Sequence, residues 1–410
     1  MKDLKISFTG DIMFERQYVK ACLTAGKSFD AMFEHVKKLI GESDYVVGNL
    51  ETVCAGKEQK YSHEIYSFNS PDSVIDALKQ SGISMVTTAN NHCLDRGVPG
   101  LLRTLEELDK RGLDHTGTFN RNNEKEKFLI RDFFGFKIAF VSYTYGTNYV
   151  ENRIELKDSE TGCINLLKPQ KSGKITAEEE KANQLRKTLV KISQSLFSSD
   201  IRMKIKKILR LRLNVPVTDK ISDGYSDKTY LAEFASQIQK AKQVSDFVFL
   251  CVHTGGQFND KPGEFSEFIM NYSVRNGVDA IIGHHPHVVQ KFNQINSVPV
   301  FYSLGNFSFS PGSLYVLHDL LPEYSVMPHF YFSKAEGKYQ LKKITYSILK
   351  TIEDNKNMVQ VVPVTDLLKK TKEGLEKQKL ISDANFIAER LCPVVKQLDF
   401  SVSEIELYCK

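Results

Sequence analysis

An α/β fold with buried sheets is predicted by three features of the 410-residue chain. Short β-branched or aromatic runs recur along it, helical segments separate them, and each run ends in a polar or glycine-containing turn. The runs are KISFTG, YVVGNL, MVTTAN, KIAFVSY, FVFLCVH, AIIGHH and VFYSLGN. Near-continuous apolar runs of this kind suit strands covered on both faces. Because open α/β sheets place ligands at the carboxyl ends of their strands, the polar residues that close each run are the first candidates for function.

Between the runs, Phe29 to Ile40, Ser73 to Ser81 and Leu101 to Gly112 have helical spacing. The second follows a Ser-Pro-Asp start signal and the third closes on a glycine. The rhythm breaks from about 151 to 225, where a charged stretch carries a helical run from Ala177 to Ser195 and ends in IRMKIKKILRLRLNVP. It reads as an insertion, after which the pattern resumes with a helix from Lys228 to Val244. Further on, PHFYFSKAEGKYQLKKITYSILK reads as two strands joined by a Gly-containing turn, MVQVVPV as another strand, and Leu367 to Val395 as helical. Four parts are therefore expected: 1–150 and 226–350 as halves of one domain, 151–225 as a charged, largely helical insertion, and 351–410 as a strand and helical extension. No internal repeat or low-complexity tract interrupts this reading.

Composition narrows the class. With 41% hydrophobic and 26% charged residues, the chain can bury a large core. A net charge of +5 on interleaved acids and bases does not call for a nucleic-acid partner, and none is expected. Seven scattered cysteines without a CxxC pair form neither a disulfide framework nor a thiolate zinc site. The start, MKDLKISFTGDIMF, enters a strand directly, and no stretch reaches the roughly 18 apolar residues of a membrane span. A cytoplasmic protein without signal peptide or transmembrane helix is the expectation.

Five strand-end motifs carry the chemistry. Thr9-Gly10-Asp11 projects a carboxylate after a glycine turn, and Gly48-Asn49-Leu50-Glu51 repeats the device; either alone reads equally as a turn or a solvated loop acid. Ala89-Asn90-Asn91-His92-Cys93-Leu94-Asp95-Arg96-Gly97 is dense in metal-capable and proton-transfer groups. There an asparagine oxygen suits a hard or borderline metal, and His92 could work as an acid or be held by Asp95 in one tautomer. His253 closes a buried strand and is fixed at its edge. Gly283-His284-His285-Pro286-His287 is the most specific signal, because imidazoles two residues apart at a loop apex can face one ion or two neighbouring ions. Taken together, two acids, an asparagine and several histidines offer mixed N/O donors suited to Zn²⁺, Mn²⁺ or Fe. Two such ions, about 3.5–4 Å apart, could share a bridging carboxylate and activate a water.

The segments FTGDIMF, GNLET, TANNHCLDRG, CVHTGG, IIGHHPHVVQ and VFYSLGNF, in this order, resemble the CapA-type poly-γ-glutamate capsule synthesis proteins, whose domain is similar to calcineurin-like metallophosphoesterases. The resemblance covers about residues 4 to 310 apart from the insertion. It implies a four-layer α/β/β/α sandwich of metallophosphoesterase type with an inserted helical segment, and two divalent metal ions (Mn, Zn or Fe). It makes Asp11 a ligand of one ion, Glu51 the bridge, and Asn91 a ligand of the second. His253 and His285 complete the second site, and His287 binds the first. His92 takes the place of the histidine that assists the leaving group, with Asp95 beside it. Asn90 and His284 support these ligands. Asn306 either contacts substrate or braces the histidine loop, and Arg96 is an oxyanion candidate by charge or a surface salt bridge. Two departures stand out: Met13 occupies the place of a first-site imidazole, and Gln257 stands where many members carry a glutamate.

The resemblance implies a metal-dependent hydrolase of phosphoesterase type, acting in synthesis or processing of an anionic polymer. The other reading is a non-catalytic assembly component beside membrane-bound capsule synthesis proteins. For the latter, Ile201, Ile205, Ile208 and Leu209 recur at helical spacing among Lys and Arg, so 201–216 is a candidate for an anionic membrane surface or an ordinary solvated helix.

Overall fold

The computed structural model describes residues 3–64, 66–120, 126–148, 154, 156–157, 159–170, 197, 199–208, 219, 228–313, 316–335, 337–393 and 398–407. In chain order the strands are β1 (Leu4–Ile12), β2 (Tyr45–Leu50), β3 (Met85–Thr87), β4 (Asp114–Thr116), β5 (Leu129–Phe133), β6 (Phe136–Thr144), β7 (Phe247–His253), β8 (Ala280–His284), β9 (Phe292–Ile295), β10 (Val298–Phe301), β11 (Asn306–Ser308), β12 (Tyr324–Ala335), β13 (Lys338–Glu353), β14 (Val359–Pro363) and β15 (Ile405–Glu406). One sheet has the order β14-β13-β12-β1-β2-β3-β4, with β11 beside β1 and β15 beside β13; the other has the order β5-β6-β7-β8-β10-β9.

Side-chain alternation sorts each strand's residues between two neighbours. On the first sheet Phe8, Tyr45, Val47 and Met85 enter a core shared with Phe140, Phe249, Cys251 and Ile282 of the second sheet. Their alternates Val46, Leu50 and Val86, with Ile12 beyond the irregularity in β1 between Phe8 and Asp11, pack under the helices Arg16–Ala25, Ser73–Ser81 and Gly97–Arg111. Alternates of the second sheet, Ala139, Val141, Val248, Leu250 and Ile281, pack under Lys228–Val244 and Glu264–Arg275. The result is helix, sheet, sheet, helix, as the four-layer expectation has it. Aromatic rings fill the space between the sheets: Phe249 lies 4.7 Å from Phe8 and 5.0 Å from Phe330. Burying each such ring contributes roughly 2–3 kcal/mol, so the sheet pair is held mainly by this aromatic layer.

The helix predicted over Phe29 to Ile40 is instead a 3-10 turn, Phe29–Phe33, followed by a short helix, Lys37–Gly41. The spacing that suggested it survives, because both helix types bring residues three or four apart onto one face; Phe29, Met32, Phe33, Val36, Leu39 and Ile40 are all buried. VFYSLGN is also not one strand. It splits into β10 of one sheet and β11 of the other, so the chain changes layer between Tyr302 and Gly305. Beyond it, β12 pairs antiparallel with β1, β13 with β12 and β14 with β13, extending the first sheet. The helical end is two helices, Val364–Lys370 and Leu375–Leu391.

Within the insertion, the helical run Ala177 to Ser195 lies outside the described residues, as does the second half of 201–216, residues 209–216; a helix covers Ser199–Ile208. No helix among the described residues is long and apolar enough to cross a membrane.

Candidate metal centre

All five motifs arrive at one place because β1, β2 and β3 run parallel, as do β7 and β8, so their carboxyl ends share an edge. The backbone is drawn unusually close there. A Cβ on Gly10 would stand 2.0 Å from the Gly305 carbonyl oxygen, and one on Gly283 would stand 2.1 Å from that of Tyr302. Only glycine permits either approach. Asp11 is thereby held in register with Asn306 on one side and Asn49 on the other.

Glu51 is the common member of two donor groups. Ligand atoms of Glu51, His253 and His285 lie within 4.8 Å of one another, and those of Asp11, Glu51 and His287 do likewise. Asn91 joins the first group, its Oδ1 being 2.7 Å from His253 Nε2. All these side chains are buried. His285 and His287 both take left-handed backbone conformations, with φ of 98° and 57°. Such conformations are costly for residues with a Cβ and concentrate at functional sites. Here they turn two imidazoles toward the cluster.

The electrostatics sharpen the assignment. Both Glu51 oxygens are buried and have no hydrogen-bond partner among the described residues, the Nε2 atoms of His253 and His287 standing 3.7 Å from Oε1. Burial, then the nearby Asp11 and Asp95 carboxylates, push the Glu51 carboxyl well above the usual range. A carboxylate sealed from water without donors is unfavourable unless a cation faces it. For Asp11, burial acts upward but is outweighed by His284 and His287, whose Nδ1 atoms lie 3.2 and 3.3 Å from its oxygens. The His253 imidazole is held well below its usual value by burial and then by His285; burial, followed by the His287 charge, takes His285 down to about 3. Neutral His253 and His285 are the form that binds a divalent metal, and a Glu51 pushed toward its protonated form would release that proton when a cation binds.

Supporting contacts account for the remaining candidates. His92 Nδ1 is 2.7 Å from Asp95 Oδ2, which leaves Nε2 directed toward Glu51 Oε1 at 3.9 Å. Asn90 donates from Nδ2 to the Leu50 carbonyl and accepts from the His92 N–H. Asn306 braces the histidine loop: Oδ1 is 2.9 Å from His287 Nδ1, and Nδ2 donates to the His287 carbonyl at 2.9 Å. His284 approaches Asp11 rather than the shared carboxylate. Arg96 does not face the cluster. Its guanidinium clamps a neighbouring loop, donating to the carbonyls of Gln59 at 2.7 Å and Lys60 at 2.9 Å. Gln257 is half-buried after β7 and makes no hydrogen bond to the cluster among the described residues. Met13 is buried with Phe68, Phe258, Val288, Phe309 and Val316, so an apolar plug stands where the missing imidazole was expected.

Three contributors were not singled out from sequence. Asn49 Nδ2 donates to Asp11 Oδ1 at 2.8 Å, and its Oδ1 accepts from Asn90. Asn148 accepts from Asn91 and approaches His92 Nε2 at 3.4 Å. The Tyr145 ring lies 4.8 Å from that of His285. Each follows a buried strand run within one to four residues of its last strand residue or just inside it, which was the available signal.

A family model described as bacterial capsule synthesis protein PGA_cap matches residues 5–311. The chain belongs to this capsule synthesis family. The PGA biosynthesis protein CapA of Bacillus subtilis (strain 168) is 26% identical over 311 residues, covering 75% of this chain and 64% of that protein. Capsule biosynthesis protein CapA of Bacillus anthracis is 25% identical over 317 residues, covering 75% and 60% respectively. The match thus spans less than two-thirds of either relative. Among solved structures, the calcineurin-like phosphoesterase YfkN from Bacillus subtilis is similar at 12% identity, 95% coverage of this chain, 97% of that chain and a TM-score of 0.43. For the capsule-family chain, the two donor groups sharing Glu51 lie wholly inside the matched region.

Proposed function

We propose that this chain is a metal-dependent, phosphoesterase-like hydrolase acting in synthesis or processing of an anionic capsular polymer. The observation that carries the reading is Glu51: a fully buried carboxylate, without a hydrogen-bond partner among the described residues, common to two groups of imidazole and carboxylate donors. Asp11, Glu51 and His287 would hold one divalent ion, and Glu51, Asn91, His253 and His285 the other. Ions so held would supply Lewis-acid charge and an activated water.

The chain's own residues do the rest. The Asp95 carboxylate next to Nδ1 holds the His92 ring so that Nε2 faces the cluster; as the imidazolium, with a proton on each ring nitrogen, His92 would hand the Nε2 proton to a departing oxygen. Asn49 and Asn306 hold Asp11 and His287 in place. With three protein donors in the first group against four in the second, the first ion is the weaker bound. The test is a phosphoester and amide hydrolysis screen on wild type and His287→Ala, with metal analysis of both. Metal-dependent turnover that falls at least tenfold in the variant supports the reading; turnover unaffected by the substitution refutes it.

A peripheral membrane position through 201–216 is favoured by the exposure of Ile205 and Ile208, 39% and 79%, on the helix Ser199–Ile208. Sedimentation with anionic vesicles that is unchanged on deleting this stretch would remove it.

A further inference from the structure

An asparagine ligand carries an ambiguity that an aspartate does not. Only the oxygen of its amide can face a cation; the NH₂ group, nearly the same size, is a donor and turns its hydrogens toward whatever it meets. The orientation of Asn91 is therefore as important as its position. Here Nδ2 donates to Asn148 Oδ1 at 3.0 Å, and Oδ1 lies 2.7 Å from His253 Nε2, which stands 3.7 Å from Glu51 Oε1. The acceptor offered by Asn148 claims the nitrogen end and leaves the oxygen end to the donor group.

Asn148 has the same ambiguity, and its neighbours resolve it. Its Nδ2 approaches His92 Nε2 at 3.4 Å, while His92 Nδ1 is 2.7 Å from Asp95 Oδ2. That carboxylate oxygen also accepts from Phe68 N at 2.6 Å. Because a carboxylate only accepts, Nδ1 carries a proton, and in neutral His92 the lone pair sits on Nε2. This is the form of His92 left once the Nε2 proton has been given up. The lone pair takes an N–H of Asn148 and so turns Asn148 Oδ1 to Asn91. Asp95, His92, Asn148 and Asn91 thus form one hydrogen-bond chain whose direction is set at its acceptor-only end.

The loop after β6 delivers Asn148 to this place. Tyr145 N donates to the His253 carbonyl at 3.0 Å, and Thr147 donates from both N and Oγ1 to Gln170 Oε1, at 2.8 and 2.9 Å. Asn148 itself has a φ of 50°, a left-handed conformation that asparagine enters more readily than most residues with a Cβ. We propose that Asn148 is a positioning residue: it orients the Asn91 amide so that oxygen rather than nitrogen meets the ion of the Glu51, Asn91, His253 and His285 group. The inference rests on the two-ion reading above and on no particular substrate.

The test reads metal affinity rather than turnover. The full chain is titrated with Zn²⁺ against a competing chelator, and the affinity of the tighter-held ion is compared in wild type, Asn148→Leu, Asn91→Asp and the double variant Asn91→Asp, Asn148→Leu. Melting curves of the chelated proteins identify any variant that fails to fold; Asn148→Ala, a smaller change at a half-buried position, then replaces Asn148→Leu in both comparisons. Asn148→Leu should weaken the ion about 10- to 100-fold. In the Asn91→Asp background both ends of the side chain are oxygen and nothing needs orienting, so the same substitution should change affinity by no more than about twofold. A residue that merely supported the local fold would cost the same in both backgrounds, and that result overturns the proposal. So does an unchanged affinity in Asn148→Leu while wild type binds the ion, an outcome that leaves the two-ion reading standing. A wild type that takes up no Zn²⁺ removes both.

Discussion

Replacing Glu51 by glutamine should separate two stabilities that are normally confounded. In the metal-free protein Glu51 is fully buried, its oxygens have no hydrogen-bond partner among the described residues, and burial with Asp11 and Asp95 drives its carboxyl upward. An unsatisfied buried polar group costs about 1–3 kcal/mol and a charged one more. Glutamine keeps the shape and never has to ionise beside Asp11 and Asp95, so the metal-free variant should be at least as stable as metal-free wild type, and up to about 2 kcal/mol more stable. With metal the order reverses. A ligand at a hundred times its Kd adds about 2.7 kcal/mol, and a carboxylate common to both donor groups contributes to each. Wild type should gain several degrees in Tm with Mn²⁺ or Zn²⁺, at about 1–3 °C per kcal/mol for a chain of this size; Glu51→Gln should gain almost nothing. The assay is a melting curve of chelated and metal-supplemented protein. A chelated variant markedly less stable than chelated wild type, together with equal metal shifts in both, would refute the reasoning.

Other outcomes follow from the same geometry. His92→Asn should lower turnover by about 10²- to 10⁴-fold while bound metal, measured by mass spectrometry, stays unchanged. Asn306→Leu removes the brace on His287 and should weaken metal binding about 10- to 100-fold in a competition titration against a chelator. Glu404→Gln probes a different region. Burial acts upward on the Glu404 carboxyl, but His329, Lys5, Thr345 and Tyr331 outweigh it and bring it to about 2. Its stabilisation is therefore present above the usual carboxylate value and lost as pH falls toward about 2. In urea melts the variant should be weaker by about 1 kcal/mol at pH 7, discounted for its partial exposure, with a gap that narrows as pH falls from 5 to 3. A gap that widens would be contrary.

Much of this site was legible because buried parallel strands read as unbroken apolar runs, and their ends announce themselves as the first polar residues. The motifs that hold Asp11, Glu51, Asn91, His253, His285 and His287 were found that way, the resemblance picked these six out of them, and the structure brings them together. What escaped depended on distant partners. Nothing local to VFYSLGN says that it must change sheets, because the cause is the approach of the Gly305 carbonyl to Gly10. Asn306 gains its bracing role only from that crossing. Arg96 looked available by charge, yet its guanidinium is claimed by carbonyls of a loop more than 30 residues earlier. Asn148 sits past the end of β6, and its role depends on Asn91 and His92 arriving from β3.

The central claim is that one carboxylate joins two metal sites, and metal content per chain tests it most directly. Wild type purified with Mn²⁺ or Zn²⁺, then assayed by elemental mass spectrometry, should carry two ions per chain, with the weaker lost first on dialysis. Glu51→Gln should lose both, and His287→Ala only the weaker. A folded wild type that takes up no divalent ion, or a Glu51→Gln variant that keeps both, would contradict the account.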